Sequence, residues 1–245
     1  EITLLGQNVN AYNYKNKKIS HIIKEINCIK ELRRIRYTTS HPIDMTDDLI
    51  EAHHTFAKLM PLLHLPVQSG SDKILKLMNR KHTIENYRNI INKLKSKKPS
   101  IKFTSDFIIA YPGETEAEFM KSIYLMKKIE FINSFSFIYS QRPGTPASNL
   151  DHVDLKIGKE RLRLFQLEAN KIKLKYKKSN VGKTINVLFE NQMKDGKYFG
   201  RDEYCNSVLV EANENIVGQM RKVKVNDFNL NTLFGTLSQI KKDSH

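Results

Sequence analysis

The sequence predicts an α/β fold built from strand–loop–helix units, followed by a small all-β barrel. Three observations lead to this prediction. Short apolar strands alternate with amphipathic helices along most of the chain, a pattern typical of a parallel sheet with right-handed crossovers. A polar loop follows each of these strands, as in barrel enzymes, whose sites lie at the carboxyl ends of the strands. After Gly182 the apolar pattern changes to period two, which is typical of paired β-strands.

The clearest unit lies in the middle of the first region. The segment Leu62–Val67 is apolar and predicts a buried strand, and the small polar loop Gln68–Ser71 follows it. Asp72 or Ser71 then caps a helix whose inner face carries Ile74 and other apolar residues. This unit places polar side chains where a barrel enzyme holds its site.

Four similar units are predicted around it. Their strands are Ile2–Gly6, Arg34–Thr38, Ile101–Ala110 and Phe135–Tyr139. Helices of these units are expected to begin at Ser20, Thr46 and Thr115, a further helix that follows the central unit begins at Thr83, and a basic helix from about Leu155 to Lys178 ends the region. Turn chemistry alone explains any one polar loop, but five loops on one rim favour a shared site. The basic face of the last helix is either a solvated surface or a track for phosphates.

Five short strands are predicted in the C-terminal region. They are Thr184–Phe189, Lys197–Arg201, Ser207–Val210, Met220–Val225 and Leu233–Leu237. This spacing predicts a small closed barrel of the nucleic-acid-binding type. Tyr198 and Phe199 either stack on bases or fill the barrel core. We place the domain boundary between residues 179 and 180, which gives domains 1–179 and 180–245.

Charge and composition limit the function classes. The net charge of +15 and the pI of about 9.6 favour a polyanionic partner such as nucleic acid; lysine-rich composition is the alternative explanation. No apolar run is long enough to span a bilayer, and no signal peptide is visible. We therefore expect a cytoplasmic protein without a membrane partner.

Cysteine spacing excludes a metal site of the usual kind. Cys28 and Cys205 are the only cysteines, and they lie too far apart in sequence to form a metal-binding motif. We therefore predict no metal ligands, and the residues alone identify no catalytic group.

Several motifs in order resemble the radical S-adenosylmethionine methylthiotransferases. They are Leu4–Asn10, Thr39–Pro42, His64–Asp72, Ser105–Ile108 with Pro112–Thr115, and Arg142–Ala147. The C-terminal region resembles the small RNA-binding TRAM domain of that family. The motifs Gly6–Asn10 and Thr39–Pro42 are most similar to the members that act on N(6)-isopentenyladenosine in tRNA.

The resemblance implies a function and a set of ligands. The intact enzyme would methylthiolate C2 of N(6)-isopentenyladenosine next to the anticodon, with S-adenosylmethionine and 4Fe-4S clusters as cofactors and the tRNA anticodon stem-loop as partner. The residues implied to line the S-adenosylmethionine pocket are Gln7, Asn8, Gln68, Ser69, Arg80, Asp106, Gly113 and Glu114. Arg80 either binds the ligand's carboxylate or lies on the surface at a helix junction. Lys197 and Arg201 are the candidate RNA-binding residues.

One departure from the family is large. The chain has no C-x3-C-x2-C motif, and iron–sulfur clusters are bound mainly by cysteine thiolates. We therefore expect a C-terminal portion of such an enzyme that holds strands 2–6 of a partial (β/α) barrel and is inactive alone. The alternatives are a non-catalytic RNA-binding protein and a methylthiotransferase that acts on a ribosomal protein.

Overall fold

A computed structural model describes residues 1–38 and 40–238; Thr39 of the Thr39–Pro42 motif and the last seven residues assigned to the second domain lie outside this description. The chain divides into two compact units, Glu1–Ile172 and a second that begins at Lys173. This division falls inside a helix, a few residues before the boundary that the sequence suggests.

The first unit is built on parallel strands. They are β1 (Ile2–Leu4), β4 (Ile35–Tyr37), β5 (Leu62–His64), β6 (Lys102–Ile109) and β7 (Asn133–Ile138). Strand β1 pairs with β4, and β6 lies between β5 and β7. A parallel bridge between Ile35 and Leu59 connects the two groups. Strands that neighbour each other in chain order, all parallel, are the arrangement of a (β/α) barrel wall, which confirms the predicted fold class.

A short hairpin precedes the first helix. It consists of β2 (Asn13–Tyr14) and β3 (Lys17–Lys18). Lys15 and Asn16 at its tip both have positive φ angles, as a two-residue turn of this hand requires.

Helices connect the parallel strands. They are α1 (Ile19–Asn27), α2 (Asp47–Thr55), α3 (Asp72–Leu77), α4 (Ile84–Lys97), α5 (Glu116–Ile129) and α6 (Leu155–Lys178). Helices α4 and α5 begin with capping boxes, in which Thr83 and Thr115 accept hydrogen bonds from backbone N–H groups. These two caps lie where the sequence predicts them.

Aromatic side chains form the centre of the first core. Phe107 on β6 is fully buried, and its ring centroid lies 4.7 Å from that of Phe165 and 5.8 Å from that of Phe131. Burying a phenylalanine side chain contributes roughly 2 to 3 kcal/mol. The contact with Phe165 therefore attaches the first part of α6 to the sheet.

The second unit is a closed five-stranded barrel. Its strands are β8 (Thr184–Gln192), β9 (Tyr198–Arg201), β10 (Ser207–Val210), β11 (Met220–Phe228) and β12 (Thr232–Leu237). They pair in the order β10-β12-β11-β8-β9, and β9 closes the ring onto β10. A Cβ atom at Gly200 would lie 2.5 Å from the Leu188 carbonyl oxygen, so only glycine allows this approach of β9 to β8. All five predicted strands are confirmed.

Some element boundaries differ from those that the pattern predicts. Strand β5 ends at His64 rather than Val67, because Pro66 has no N–H group to continue the ladder. Helix α2 ends at Thr55 rather than near Leu59, since Leu59 takes part in the bridge to Ile35. Among the described residues no helix is long and apolar enough to cross a membrane.

Candidate cofactor pocket

A cavity of about 540 Å³ lies at the carboxyl ends of the parallel strands. Its lining residues follow, or lie on, β1, β4, β5 and β6, and one more comes from the turn after α3. They are Gln7, Asn8, Thr38, Ser40, His41, His64, Pro66, Gln68, Arg80 and Asp106. The polar ends of four successive strands therefore converge on one site.

Hydrogen bonds tie the loops after β1 and β4 together. The Nδ2 atom of Asn10 donates to the His41 carbonyl oxygen at 2.8 Å, and its Oδ1 atom accepts from the His41 N–H at 2.8 Å. Asn8 Nδ2 donates to Asp44 Oδ2 at 2.7 Å. These contacts hold this side of the cavity in a defined geometry.

His64 and Asp106 form the floor between β5 and β6. The Nδ1 atom of His64 lies 2.9 Å from Thr104 Oγ1, and its Nε2 atom lies 3.4 Å from Asp106 Oδ2. The Phe135 ring on β7 meets the His64 ring edge-on at a centroid distance of 6.2 Å. The imidazole is thus oriented from three directions.

Gln68 is held by its backbone. Its N–H donates to the Asp106 carbonyl oxygen at 3.0 Å, and its carbonyl accepts from the Ile108 N–H at 2.9 Å. Its φ angle is +73°, a left-handed conformation that is unfavourable for a residue with a side chain. Within residues 1–38 and 40–238 its amide group has no hydrogen-bond partner, so it is available to a ligand.

Arg80 is the positive group of the cavity. The side chain is half-buried, and burial lowers the pKa of its guanidinium while the charge of Asp106 raises it. The guanidinium makes no hydrogen bond or ion pair with the residues that the structure describes. A half-buried guanidinium whose N–H groups are all free is suited to binding an anionic group such as a carboxylate.

The imidazoles of His41 and His82 do not add to this charge at neutral pH. Burial lowers the pKa of His41, and the charge of Arg80 lowers it further. Burial lowers the pKa of His82, whose ring lies 5.6 Å from that of His41, to about 4. The anion-binding capacity of this wall therefore rests on Arg80.

Five of the eight predicted pocket residues line the cavity: Gln7, Asn8, Gln68, Arg80 and Asp106. The cavity is also lined by Ser40, His41, His64 and Pro66, which lie in the motifs Thr39–Pro42 and His64–Asp72 but are not among the predicted site residues. The remaining lining residue, Thr38, ends a predicted strand. The sequence could have indicated both histidines as site residues, because His41 lies in a polar loop after a strand and His64 lies at the end of a strand.

Ser69, Gly113 and Glu114 lie outside the cavity lining. Ser69 is fully buried, and its Oγ atom accepts from the Ser71 N–H at 3.2 Å. Gly113 adopts a positive φ of 79°, and its N–H donates to the Asp151 carbonyl oxygen. The structure thus shows these residues shaping their own loops.

Glu114 takes part in a buried ion pair. Its Oε2 atom accepts from the Ala110 N–H at 2.9 Å and from Arg161 Nη1 at 3.1 Å. The Arg161 Nε atom also donates to Glu116 at 3.1 Å. Burial raises the pKa of the Glu114 carboxyl to about 7, although the charge of Arg161 acts in the opposite direction. This pair attaches α6 to the loop between β6 and α5.

The candidate RNA-binding residues of the second unit each have an acidic neighbour. Lys197 Nζ lies 3.3 Å from Asp195, and Arg201 Nη1 lies 3.5 Å from Glu190. The Arg201 guanidinium also lies over the Phe199 ring at 5.5 Å. Tyr198 is only 5% exposed, so of the two roles considered for it, core packing is the one observed.

The chain does not fit an iron–sulfur cluster. Cys28 and Cys205 are both free and exposed, and they lie in different units. The described residues include no group of three or more His, Cys, Asp or Glu that would hold a metal ion. The cavity described above therefore offers ligand-binding groups and no cluster ligands.

Comparisons with known proteins agree with this architecture. The model of the radical SAM superfamily matches residues 1–126, and the model of the TRAM domain matches residues 178–238. The chain is 52% identical over 247 residues to tRNA-2-methylthio-N(6)-dimethylallyladenosine synthase of Pelagibacter ubique (strain HTCC1062), covering 99% of this chain and 55% of the relative. It is 46% identical to the protein of the same name from Rickettsia akari (strain Hartford), covering 97% and 55%.

Among solved structures, the chain is similar to coproporphyrinogen III oxidase (HemN) from Escherichia coli, with a TM-score of 0.49 and 12% identity over 84% of this chain and 50% of that one. The chain spans about half the length of the curated relatives it matches. The first family model covers more than half of the chain. The chain belongs to the radical SAM superfamily.

Proposed function

We propose that the cavity at the carboxyl ends of β1, β4, β5 and β6 binds S-adenosylmethionine. Its volume of about 540 Å³ lies within the usual range for ligand sites of roughly 300 to 1,000 Å³. The single observation that carries the proposal is that the guanidinium of Arg80 lines this cavity together with Asp106 and makes no ion pair or hydrogen bond with the described residues. Arg80 binds the ligand's carboxylate, while Gln68 and Asp106 take up its amino and hydroxyl groups.

The proposed reaction of the whole protein is methylthiolation of a tRNA adenosine. Relatives named for this activity are 52% and 46% identical across nearly the whole chain. The TRAM match adds a domain suited to the tRNA anticodon stem-loop, and this substrate implies a cytoplasmic protein. We further propose that the 4Fe-4S clusters are held by a segment that is not among these 245 residues.

The contribution of this chain is then positioning. S-adenosylmethionine, when bound at a reduced cluster, supplies the radical chemistry. Arg80 and Asp106 orient the ligand, and the tied loops after β1 and β4 shield one of its sides from water. Substrate RNA is held by basic residues, for which Lys197 and Arg201 remain candidates once an RNA phosphate replaces their acidic neighbours.

A chimaeric enzyme tests the proposal. Residues 1–245 replace the matching part of the Pelagibacter ubique relative, and the chimaera is expressed in a bacterium that lacks its own tRNA methylthiotransferase. Nucleosides from its tRNA are then separated by mass spectrometry. We expect 2-methylthio-N(6)-isopentenyladenosine to reappear, and to be lost again with Arg80→Gln. As the matched control, the exposed residue Arg33 is changed to Gln and should have no effect.

Two other outcomes would favour the alternatives. A chimaera that is stably expressed and binds tRNA but produces no modified nucleoside would favour a non-catalytic RNA-binding protein, which the absent cluster cysteines also suggest. Methylthiolation found on a ribosomal protein instead of tRNA would favour the third candidate.

A further inference from the structure

A second cleft lies on the outer side of the parallel sheet, between helices α4 and α5. Its volume is about 300 Å³, and Gly70 forms its floor. A Cβ atom at Gly70 would lie 2.4 Å from the Lys121 carbonyl oxygen, so this loop packs directly against α5. The same loop carries Gln68, which lines the cofactor cavity. The cleft and the cavity thus lie on two sides of one loop.

The cleft is strongly basic. Four of its lining residues are cations and one is a carboxylate: Lys73, Arg88, Lys121, Lys128 and Asp72. The Oδ1 atom of Asp72 already accepts from the Ile84 N–H at 2.7 Å. Lys73 lies 3.8 Å from Glu118. The other three cations, the cleft triad of Arg88, Lys121 and Lys128, make no ion pair with any described residue.

Two other lysines on the surfaces of the same helices form ion pairs. Lys127, next to Lys128 on α5, lies 2.6 Å from Glu168. Lys93 on α4 lies 2.9 Å from Asp47. The cleft triad therefore differs from these two neighbouring lysines, which have carboxylate partners.

An exposed aromatic residue lies within the triad. Tyr124 is 61% exposed and lines the cleft. It follows Lys121 by three positions and precedes Lys128 by four, so the three side chains share one face of α5. Cations that alternate with an exposed aromatic ring are the combination with which proteins bind RNA, through phosphates and base stacking.

We propose that this cleft is a second RNA-binding surface, which holds the backbone of the tRNA outside the modified nucleoside. The inference rests on the proposed function, because it assumes a tRNA substrate. Arg88 forms paired hydrogen bonds with one phosphate, Lys121 and Lys128 neutralise others, and Tyr124 stacks on an unpaired base. An acidic protein segment would use the charges but has no requirement for the aromatic ring.

Fluorescence anisotropy with an unmodified, fluorescein-labelled tRNA transcript tests the inference on the 245-residue chain. The cleft variant carries Arg88→Gln, Lys121→Gln and Lys128→Gln. The control variant carries Lys24→Gln, Lys30→Gln and Arg33→Gln, three exposed residues with the same total charge. We expect the cleft variant to bind about tenfold more weakly and its log Kd–log[NaCl] slope to fall by about 2, at roughly 0.7 to 0.9 per lost phosphate contact. The control variant should change both quantities much less.

Further measurements separate the possible failures. Tyr124→Leu should weaken tRNA binding about fivefold with an unchanged salt slope, since stacking is not ionic. A variant with Lys121→Arg and Lys128→Arg keeps both positive charges and should bind tRNA as tightly as the unaltered chain. Circular dichroism verifies the fold of each variant. Equal losses of tRNA affinity in the cleft and control variants would overturn the assignment of the cleft as an RNA-binding surface but not the proposed tRNA substrate. An equal loss of poly-glutamate binding would show a general anion surface and overturn the RNA assignment. No tRNA binding by the unaltered chain would overturn the tRNA substrate as well.

Discussion

The Nε2 atom of His64 lies 3.4 Å from the Oδ2 atom of Asp106 in the cofactor cavity. The other ring nitrogen of His64 lies 2.9 Å from Thr104 Oγ1. These contacts orient the imidazole and leave the Oδ1 atom of Asp106 without a partner in the described part of the chain. Asp106 therefore combines two tasks: it positions His64 and presents one oxygen to a ligand.

Replacing Asp106 with Asn should weaken ligand binding. The change keeps the side-chain size but removes the negative charge that we propose faces the amino group of S-adenosylmethionine. Losing one charge-assisted hydrogen bond of about 1.5 kcal/mol predicts roughly tenfold weaker binding. Equilibrium dialysis with radiolabelled S-adenosylmethionine measures the effect. Asp47→Asn, on the surface beside Lys93, is the matched control, and an equal change in both variants would refute the assignment.

Arg80 should determine whether the ligand's carboxylate is recognised. Unaltered protein is expected to bind decarboxylated S-adenosylmethionine about tenfold more weakly than S-adenosylmethionine, because the charge-assisted pair is lost. Arg80→Gln should bind the two compounds equally. The measurement is the ratio of the two dissociation constants, which is insensitive to small changes in overall stability. A ratio that Arg80→Gln leaves unchanged would place the carboxylate elsewhere.

Acid should destabilise the fold through two buried histidines. Burial lowers the pKa of His53 to about 3 and that of His82 to about 4, below the usual value of about 6.5. The unfolded chain then binds protons that the folded chain does not. The contribution of the two histidines to the free energy of unfolding is fully present above pH 6.5. Below pH 6.5 it falls by about 1.4 kcal/mol per pH unit for each histidine.

Urea unfolding at pH 7.5, 6 and 5 measures this dependence. The raised pKa values of the Glu114 and Asp202 carboxyls act in the opposite direction, whereas the lowered pKa of His41 adds to the effect of the two buried histidines. His82→Phe removes one titrating group, so the slope below pH 6.5 should fall by about one proton. An unchanged slope in this variant would show that His82 remains protonated in the folded protein.

The two acids that contact Arg161 should differ in their effect on stability. Glu114→Gln leaves a guanidinium that is 9% exposed without its buried charged partner. Because burial already disfavours the ionised carboxyl, we expect a cost of about 2 kcal/mol, below the usual value of about 3 kcal/mol or more for a broken buried pair. Glu116 is 65% exposed, so Glu116→Gln should cost less than about 1 kcal/mol. Urea unfolding at pH 8, where the Glu114 carboxyl is ionised, gives both values. Equal costs would mean that water reaches the Glu114 side of the pair.

Much of the fold was predictable because its signals are local. The capping boxes at Thr83 and Thr115 and the period-two strands after Gly182 depend on neighbouring residues. The early end of β5 was also readable, since Pro66 lacks an N–H group. The division of the chain within α6 was not, because it depends on which residues Phe165 and its neighbours contact.

The candidate site was predictable only in part. Loops that directly follow parallel strands lie together by topology alone, which brings Gln7 and Gln68 to one cavity, and Asp106 reaches the same cavity from within β6. Glu114 also follows a strand, but its partner Arg161 lies far away in sequence. The local sequence pattern gives no information on an ion pair between residues so far apart in the chain. The same holds for the cleft triad, because only the structure shows that its members have no ion-pair partner among the described residues.

The bridge between Gln68 and β6 has a consequence for how a ligand associates. The peptide groups on both sides of Gln68 are engaged by Asp106 and Ile108, so this wall reaches its final shape when the sheet assembles. Ligand binding therefore costs little conformational entropy in this loop, and the affinity depends mainly on the contacts that the ligand forms. We therefore expect a ligand to bind to this wall as a preformed surface, without rearrangement of the loop.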